Sequence, residues 1–330
     1  MSAEKKVNVQ QVLKDVEQKF DKINDLPEKN EMQLELFDEI GQSATGNIEE
    51  DIFNHVFVVL DTETTGAEPG VDEPIQAAAI KVQNGQIIDK HEWWIKPETR
   101  LIHPSAMAVH GITPKILKTK RASFLKDIKQ DIIDFIGPAT IIAHNSPFDM
   151  SMLPFLQREN VIDSLRLARH MWAYGDKNED GLELTSHKAQ EIRYWLKLEV
   201  DTKNRGAHDA LGDIIVTNKI FWVAVNKYMA DGGENKVSSL IDFCKKPINY
   251  PRMPFHKNYK GMPWSELPES YIKFYLKDID DSEQDQDVVQ LMLSELLRRR
   301  TAVATDRLKK YVVNEGVETF STNRNPLKMK

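Results

Sequence analysis

Acidic residues that follow buried-looking strands are the feature that most constrains how this chain can fold. Asp61 and Glu63 come after the apolar run FVVL and before TTG, and Asp149 closes the segment IIAHNSPFD. Successive side chains of a strand point to opposite faces, so Asp61 and Glu63 are predicted to share one face. His208 and Asp213 lie in GAHDALGDIIVTNKIF, near the start of an apolar-periodic helix. We expect the fold to bring these five side chains together.

Such a cluster of carboxylates predicts a metal site. Carboxylates in one pocket repel each other, and burying them together is costly unless cations lie between them. Oxygen ligands without cysteine favour hard cations, so Mg²⁺ is predicted, with Mn²⁺ as a substitute. Two such ions roughly 3.5–4 Å apart could hold the attacking and leaving oxygens of a phosphoryl displacement. A neighbouring histidine could accept the proton of the attacking water.

Three motifs, FVVLDTETTG, HNSPFD and HDALGD, occur in this order between residues 51 and 231. Together they resemble the DEDDh branch of the DnaQ-like 3′-5′ exonucleases, which includes polymerase III epsilon, RNase T and exonuclease X. The last motif fits the pattern H-x-A-x-x-D, and AMAVHGIT and VIDSLRLAR are two weaker matches. The resemblance implies an α/β fold, with a ribonuclease H-like mixed sheet flanked by helices. It also implies a 3′-5′ exodeoxyribonuclease that releases nucleoside 5′-monophosphates from DNA 3′ ends in replication or repair.

The resemblance further implies roles for individual side chains. Asp61, Glu63, Asp149 and Asp213 would be ligands of two Mg²⁺ ions, with His208 as the general base and Glu63 also holding the terminal 3′-hydroxyl. Contact with the last nucleotide is expected of Thr62, Val109, His110 and Phe148. Core packing is the alternative for Val109, His110 and Phe148, because apolar and aromatic residues are usually buried. His187 is expected on a helix surface.

Charge is distributed unevenly along the 330 residues. Residues 1–50 carry 6 Lys/Arg against 12 Asp/Glu, residues 51–235 carry 21 against 26, and residues 236–330 carry 17 against 13. An enzyme that grips only a few terminal nucleotides needs less basic surface than a duplex-binding protein. A single cysteine, Cys244, excludes an internal disulfide and favours a reducing, cytoplasmic location. No stretch is predicted to span a membrane.

Residues 1–50 are predicted to form an N-terminal extension, partly helical and partly flexible. Apolar residues at helical spacing between Val9 and Ile23 predict an amphipathic helix that Pro27 would end. It could dock on its own chain or on a partner, and its own chain is favoured. The peptide that follows resembles the short motif by which bacterial proteins bind the sliding clamp, with anchors at Gln33, Leu34, Leu36 and Phe37. The alternative is an ordinary piece of linker.

Residues 51–233 are predicted to form the exonuclease domain. Apolar runs VFVVL, IQAAAIKV and IIDKHEWWI suggest three strands, with a hairpin turn at Asn84-Gly85. Helices and further strands then alternate, with helical patterns in SFLKDIKQDIIDFI and PFDMSMLPFLQRE and a long helix from about residue 207 to 229. Asp231-Gly232-Gly233 marks the expected end of the domain.

Residues 234–300 are predicted to form a small C-terminal module, α+β or helical, that resembles the one in exonuclease X-like proteins. Lysines alternate there with five aromatic residues, which could stack on nucleic acid or form a small core; core is favoured for most. These aromatic residues are Tyr259, Trp264, Tyr271, Phe274 and Tyr275. A last helix is expected from about residue 282 to 300, followed by a basic tail at residues 301–330.

Two other functions remain open on the sequence alone. One is an RNA-directed 3′-5′ exoribonuclease similar to RNase T, because the choice of sugar depends on how a pocket treats the 2′-hydroxyl. The other is a clamp-recruited replication accessory factor that mainly holds nucleic acid. The five acidic and histidine positions favour an active enzyme. The expected partners are therefore a nucleic acid with a free 3′ end, DNA being favoured, and the sliding clamp.

Overall fold

The computed structural model describes residues 46–200, 209–254, 258–277 and 286–314. The chain divides into two compact units, with the boundary between Asn249 and Tyr250. Unit 1 contains the sheet and eight of the described helices, and unit 2 contains two. The predicted N-terminal helix, the peptide Gln33–Phe37, His208 and most of the basic tail lie outside the described residues.

Unit 1 is built on a six-stranded mixed sheet with the order β4-β3-β2-β1-β5-β6. β1 and β2 are antiparallel, as are β2 and β3, whereas β5 runs parallel to β1 and to β6. β4 is a short strand parallel to β3. The strands are β1 Phe57–Thr64, β2 Pro74–Gln83, β3 Gln86–Lys96, β4 Ser123–Phe124, β5 Thr140–Ala143 and β6 Val161–Asp163. The expected α/β fold with a mixed sheet is confirmed.

The predicted hairpin between β2 and β3 is also confirmed. Asn84 and Gly85 form the two-residue loop, and their φ angles are 47° and 75°. Such left-handed angles at both central residues match the turn whose twist suits two adjacent antiparallel strands. Glycine and asparagine adopt this conformation more readily than other residues, which explains why the sequence signal was reliable.

Eight helices flank the sheet or connect its strands. They are α1 Pro104–His110, α2 Pro114–Thr119, α3 Leu125–Ile136, α4 Ser146–Met152, α5 Ser164–Met171, α6 Ala189–Trp195, α7 Ala210–Ala230 and α8 Val237–Lys245. α4 is shorter than the predicted helical stretch, because Pro154 cannot continue an α-helix and restricts the residue before it. The chain continues instead as a short 3₁₀ helix, Pro154–Leu156.

Alternate residues of β1 enter different cores on the two faces of the sheet. Phe57 and Val59 pack in a cluster with residues of α5, α6, α7 and α8. Val58 and Leu60 pack in a second cluster with residues of α3 and α4. All four side chains are buried, so the register of β1 is fixed from both sides. By the same alternation, Asp61 continues the α7 face.

Unit 1 extends beyond both of the boundaries expected for the exonuclease domain. Gly232 has a φ of 93° in the turn after α7, so the predicted break in secondary structure is present. The chain nevertheless returns to the same core, because Val237 and Leu240 of α8 are buried in the cluster that contains Phe57. At the other end, the amide of Gly46 donates to the carbonyl of Pro138. A turn-forming sequence ends a helix without ending a domain.

In its described residues, unit 2 is helical, with α9 Glu269–Lys277 and α10 Gln286–Asn314. α10 continues well past residue 300, where the last helix was predicted to end. The expectation that most aromatic residues form a core is wrong, because none of the five is fully buried and Phe274 is 67% exposed. The buried apolar side chains of unit 2 are one other aromatic residue, Tyr250, and nine residues that are not aromatic: Met253, Leu267, Ile272, Leu276, Val288, Val289, Met292, Leu293 and Leu296.

Three half-buried tyrosines of unit 2 contact one another. The rings of Tyr259 and Tyr271 lie 4.1 Å apart between centroids, and those of Tyr271 and Tyr275 lie 6.2 Å apart. The indole of Trp264 donates to the carbonyl of Tyr250 at 2.6 Å. Across the described segments of both units, no helix has the length and apolar character needed to cross a bilayer.

Candidate metal centre

Three carboxylates meet at the end of β1. Asp61 and Glu63 come from β1 and Asp213 from the first turn of α7, and each offers an oxygen within 4.8 Å of the others. The predicted common face of Asp61 and Glu63 is thus present, and it is the face that α7 covers. The packing of α7 on β1 brings Asp213 to the two strand residues although about 150 positions separate them in the sequence.

Asp149 approaches the same place from the opposite face of the sheet. It lies in the first turn of α4, is 3% exposed, and accepts a hydrogen bond of 2.8 Å from the hydroxyl of Thr62. Thr62 is the residue between Asp61 and Glu63, so strand alternation turns it toward α4. Asp149 does not belong to the group of three whose oxygens lie within 4.8 Å, yet its charge acts on Asp61.

The cluster is electrostatically strained. Burial raises the pKa of Asp61 well above its usual range, and the charges of Asp149, Glu63, Asp213 and Asp209 raise it further. Burial, followed by the neighbouring carboxylates, raises the pKa of Glu63 to about 8. Burial raises the pKa of Asp149 to about 7, although the hydrogen bond from Thr62 lowers it. The fold therefore brings together carboxylates whose burial and mutual repulsion disfavour their charged forms.

Two residues of the site were not anticipated from the sequence. Gln190 of α6 donates its amide to Asp213 at 2.8 Å. Asp209 caps α7 by accepting a hydrogen bond from the amide of Gly212 at 3.0 Å, and its charge also raises the pKa of Glu63. An aspartate before an apolar helix is a recognisable cap signal. No local signal points to Gln190, because only tertiary packing brings α6 to α7.

The residues expected to contact a nucleotide lie on three elements, with Thr62 on β1 and the others on α1 and α4. Val109 and His110 end α1, and Val109 is 54% exposed. His110 accepts a hydrogen bond from the amide of Ile112 through Nδ1, and its Nε2 lies 3.2 Å from the carbonyl oxygen of Thr64. Phe148, in α4, is partly buried. α1 is thus attached to the end of β1, directly after Glu63.

Two other histidines lie behind the cluster. His187 is 2% exposed, so its predicted position on a helix surface is wrong. Its Nε2 lies 2.7 Å from the carbonyl oxygen of Trp172, and burial lowers its pKa to about 4. His144 bridges the hydroxyl of Ser164 and the carbonyl of His187, at 3.0 and 2.8 Å. Both rings support the packing of β5, α5 and the segment before α6. The predicted general base, His208, lies outside the described residues.

Comparisons with known proteins agree with this geometry. The model of an exonuclease family, RNase_T, matches residues 58–221. DNA polymerase III subunit epsilon of Rickettsia prowazekii is 32% identical over 178 residues, which cover 50% of this chain and 71% of that protein. The chain belongs to the DnaQ-like exonuclease family. The matched region contains Asp61, Glu63, Asp149 and Asp213.

Two further similarities of this DnaQ-like exonuclease differ in how much of each protein they cover. DNA polymerase III PolC-type of Thermotoga petrophila is 32% identical over 238 residues, or 67% of this chain, but the chain spans only 16% of that much longer protein. Among solved structures, exonuclease X in complex with 5′ overhanging duplex DNA has a TM-score of 0.45 and 24% identity. That match covers 57% of this chain and 99% of exonuclease X.

The donor set of the DnaQ-like site fits hard divalent cations. Asp61, Glu63 and Asp213 offer only carboxylate oxygens, which Mg²⁺ and Mn²⁺ prefer. Burial and neighbouring carboxylates raise the pKa of Asp61 and of Glu63, and a cation bound between them would favour their charged forms. The hydrogen bond from the hydroxyl of Thr62 orients Asp149, and the hydrogen bond from the amide of Gln190 orients Asp213. The site can therefore hold a metal, with supporting side chains already in position.

Proposed function

We propose that this chain is a metal-dependent 3′-5′ exonuclease that releases nucleoside 5′-monophosphates from DNA 3′ ends, in replication or repair. The observation that carries the proposal is the convergence of Asp61, Glu63 and Asp213 within 4.8 Å, in a chain of the DnaQ-like exonuclease family. The names of its relatives, DNA polymerase III PolC-type and subunit epsilon, support DNA as the substrate. A cytoplasmic location is part of the proposal and rests on the single cysteine.

In this proposal, four carboxylates hold two divalent cations. Asp61, Glu63 and Asp213 are the ligands from the α7 face, and Asp149 completes the set from the α4 face. Mg²⁺ is the proposed metal, and Mn²⁺ can replace it. Such a pair of ions supplies charge stabilisation for the phosphate and a more acidic attacking water. The buried hydrogen bond from Thr62 keeps Asp149 oriented toward the cluster.

Proton removal and binding of the terminal nucleotide are assigned to other side chains of this protein. His208 is proposed as the general base that removes a proton from the attacking water, a role taken from the H-x-A-x-x-D motif it begins. Glu63 is proposed to hold the terminal 3′-hydroxyl, which would restrict attack to chain ends. Val109, with more than half of its side chain exposed, is proposed to pack on the last base together with Phe148. His110 would keep α1 attached to β1 beside them.

A labelled-oligonucleotide time course tests the proposed activity. We expect a 5′-labelled DNA strand to shorten one nucleotide at a time in Mg²⁺, and to stay intact in EDTA or with the Asp61→Asn variant. Parallel reactions with RNA of the same sequence measure the preference for sugar. Equal products from the wild type and Asp61→Asn would overturn the proposal, because a contaminating nuclease would then explain the activity.

The role of His208 has a separate test. His208→Ala should reduce the rate by roughly 10²–10⁴-fold, as expected for the loss of a general base. The affinity for Mg²⁺ should be retained, because this residue is proposed to move a proton and not to bind metal. A loss of Mg²⁺ affinity that matches the loss of rate would contradict the proposed role.

Recruitment by a sliding clamp remains a proposal about Gln33, Leu34, Leu36 and Phe37. Two leucines and a phenylalanine on a short peptide can anchor in an apolar pocket, and a tether of this kind raises the local concentration at DNA ends. A pull-down with a purified bacterial clamp tests it. Binding should disappear in the double variant Leu36→Ala/Phe37→Ala, and retained binding would remove this peptide from the account.

A further inference from the structure

A cavity lies in unit 1 beside the end of β3, and its lining contains none of the acidic residues of the candidate metal centre. Its volume is about 630 Å³, and its lining includes four cationic side chains, Lys96, Arg100, Lys118 and Arg121. All four are exposed. We call this cavity the basic cleft. Neither the proposed nuclease chemistry nor the proposed clamp-binding peptide uses the basic cleft.

The basic cleft departs from the charge of the surrounding domain. Residues 96–121 contain 6 Lys/Arg and 1 Asp/Glu, whereas residues 51–235 as a whole contain 21 and 26. The acid in that segment, Glu98, forms an ion pair with Lys126 at 3.7 Å. The cleft therefore keeps a local positive charge within an acidic domain, which is suited to an anionic ligand.

Apolar surface accompanies the charge. Ile102 and Leu117 are buried beneath the cleft, and Leu101 in its lining is 92% exposed. An exposed leucine among cations suits a ligand that combines anionic groups with apolar faces. A polynucleotide has this combination, since phosphates alternate with bases that pack on apolar side chains.

The basic cleft and the acidic cluster lie at the same end of the sheet. Glu63 pairs with Gln76, and Gln76 pairs with Trp94, two residues before Lys96. With strands about 4.8 Å apart and residues about 3.4 Å apart, Lys96 lies roughly 10–15 Å from Glu63. A nucleic-acid strand of a few nucleotides can cover that distance.

Hydrogen bonds hold the loop of the cleft to the segment that follows Glu63. The carboxylate of Glu73 accepts from the amide of Thr99 at 2.9 Å, and the amide of Glu73 donates to the hydroxyl of Thr65 at 3.0 Å. The amide of His103 donates to the carbonyl of Thr65 at 2.8 Å. The guanidinium of Arg100 is held through one nitrogen, because its Nε donates to the carbonyl of Val71 at 3.1 Å. The cleft is therefore a preorganised surface next to the site.

We propose that the basic cleft binds the backbone of the substrate strand a few nucleotides upstream of the 3′ end. Arg100 and Lys118 contact phosphates, and Leu101 packs against a base. This inference rests on the proposed function, because it assigns the polynucleotide substrate of that site to a second, more distant contact. It predicts that affinity depends on strand length and on salt.

The test compares two double variants with the same change in charge. Arg100→Glu/Lys118→Glu reverses two cations of the cleft, and Lys90→Glu/Lys219→Glu reverses two exposed lysines of unit 1 outside its lining. Both are made in the full chain with Asp61→Asn, so that the probe stays intact. Fluorescence anisotropy measures binding of a labelled single-stranded DNA of about 20 nucleotides, of a trinucleotide and of a decaglutamate peptide, each at several salt concentrations.

We expect the cleft variant to bind the long strand roughly tenfold more weakly, with a salt slope smaller by about 1.4, as for two lost phosphate contacts on a single strand. The advantage of the long strand over the trinucleotide should shrink, and the lysine control should retain it. Equal long-strand affinities for the two double variants would overturn the inference. So would a loss confined to decaglutamate, since the cleft would then bind an acidic peptide.

Failure of the proposed function would be seen separately. If the wild-type protein leaves every oligonucleotide intact in Mg²⁺, the exonuclease proposal fails. The anisotropy comparison still reports whether the basic cleft holds a strand, because it measures binding without hydrolysis.

Discussion

Two glutamates of this chain, one in each unit, lie in environments that shift their pKa values in opposite directions. Glu63 lies among other acids, and its pKa is raised to about 8 by burial and by the charges of Asp213, Asp149 and Asp209. Glu295, on α10, is 7% exposed and lies between two arginines. Hydrogen bonds of 2.7 Å from Arg298 and Arg299 lower its pKa to about 2.

The difference separates a carboxylate whose charged form is stabilised by two arginines from one whose charged form is disfavoured by burial and by other carboxylates. Glu295 forms ion pairs with Arg298 and Arg299, which lie one turn further along the same helix, so its negative charge is balanced within unit 2. The Glu63 cluster brings together carboxylates from β1, α4 and α7, and their burial and mutual repulsion disfavour their charged forms. A bound proton or a bound cation relieves this repulsion, and carboxylates perturbed in this way mark a candidate functional site.

The largest effect is expected for Asp61→Asn. Removing one carboxylate of the Glu63 cluster should lower exonuclease activity by at least about 10³-fold, because a metal ligand is lost. The matched control is Asp134→Asn, an exposed aspartate on α3 in the same unit, which should keep wild-type activity. The measurement is the single-turnover rate on a 5′-labelled DNA strand. Equal losses in both variants would break the contrast between a functional and an ordinary acid.

The pH dependence of stability gives the next effect. Since the pKa of Glu63 rises from 4.5 to about 8 on folding, this group favours the folded state fully below pH 4.5, and that contribution is lost as pH rises to about 8. Without metal, the free energy of unfolding should therefore fall by on the order of 2–4 kcal/mol over this range. Mg²⁺ should restore most of it at high pH.

Urea unfolding in EDTA and in Mg²⁺, at pH 5.5 and 8.5, measures this change. Tryptophan fluorescence reports mainly on unit 1, because five of the six tryptophans lie there. In Asp61→Asn the pH dependence should be smaller, since the pKa of Asp61 is itself raised on folding and its contribution is then absent. A metal-free protein that is more stable at pH 8.5 than at pH 5.5 would contradict the raised pKa of Glu63 in the folded state.

A smaller effect is expected from Gln190, which donates to Asp213. Gln190→Leu should weaken Mg²⁺ binding by roughly 10–100-fold, because a misoriented ligand binds metal less well. Gln130→Leu is the matched control, since Gln130 donates to Asp134 at the same distance of 2.8 Å on the surface of α3. Identical Mg²⁺ affinities in the two variants would exclude an orienting role for Gln190.

The smallest effect is expected for Glu295→Gln. Loss of its contacts with Arg298 and Arg299 should destabilise α10 by about 1 kcal/mol, without changing the affinity of unit 1 for Mg²⁺. Hydrogen exchange of the α10 amides measures the change. An increase in Mg²⁺ affinity on this substitution would show that the two acids are not independent and would weaken the comparison.

The sequence predicted the proximity of Asp61, Glu63 and Asp213 better than it predicted the end of unit 1. Strand alternation was sufficient to place Asp61 and Glu63 on one face, and a two-residue turn with Asn84 and Gly85 fixed the hairpin. Both signals are local and depend on backbone geometry. The end of unit 1 was missed because the turn at Gly232 is also local, whereas the return of α8 to the core depends on distant contacts.

Long-range packing also explains the other errors. His187 occurs in a polar segment, and only the folded chain shows that it is buried against Trp172. Gln190 gave no signal for the same reason. In unit 2 the aromatic residues suggested a core, but aliphatic residues such as Leu267 and Met292 occupy it. Composition does not specify which apolar side chains a small module buries.

Calorimetric titration of Mg²⁺ at pH 7.5 tests the central claim most directly. The wild type and Glu295→Gln should bind Mg²⁺ with the same affinity, and Asp61→Asn should lose most of that binding. This outcome would show that the acids of β1, α4 and α7 form the site that binds Mg²⁺. If Asp61→Asn instead bound Mg²⁺ as tightly as the wild type, the cluster would not be the metal centre and the exonuclease mechanism built on it would be wrong.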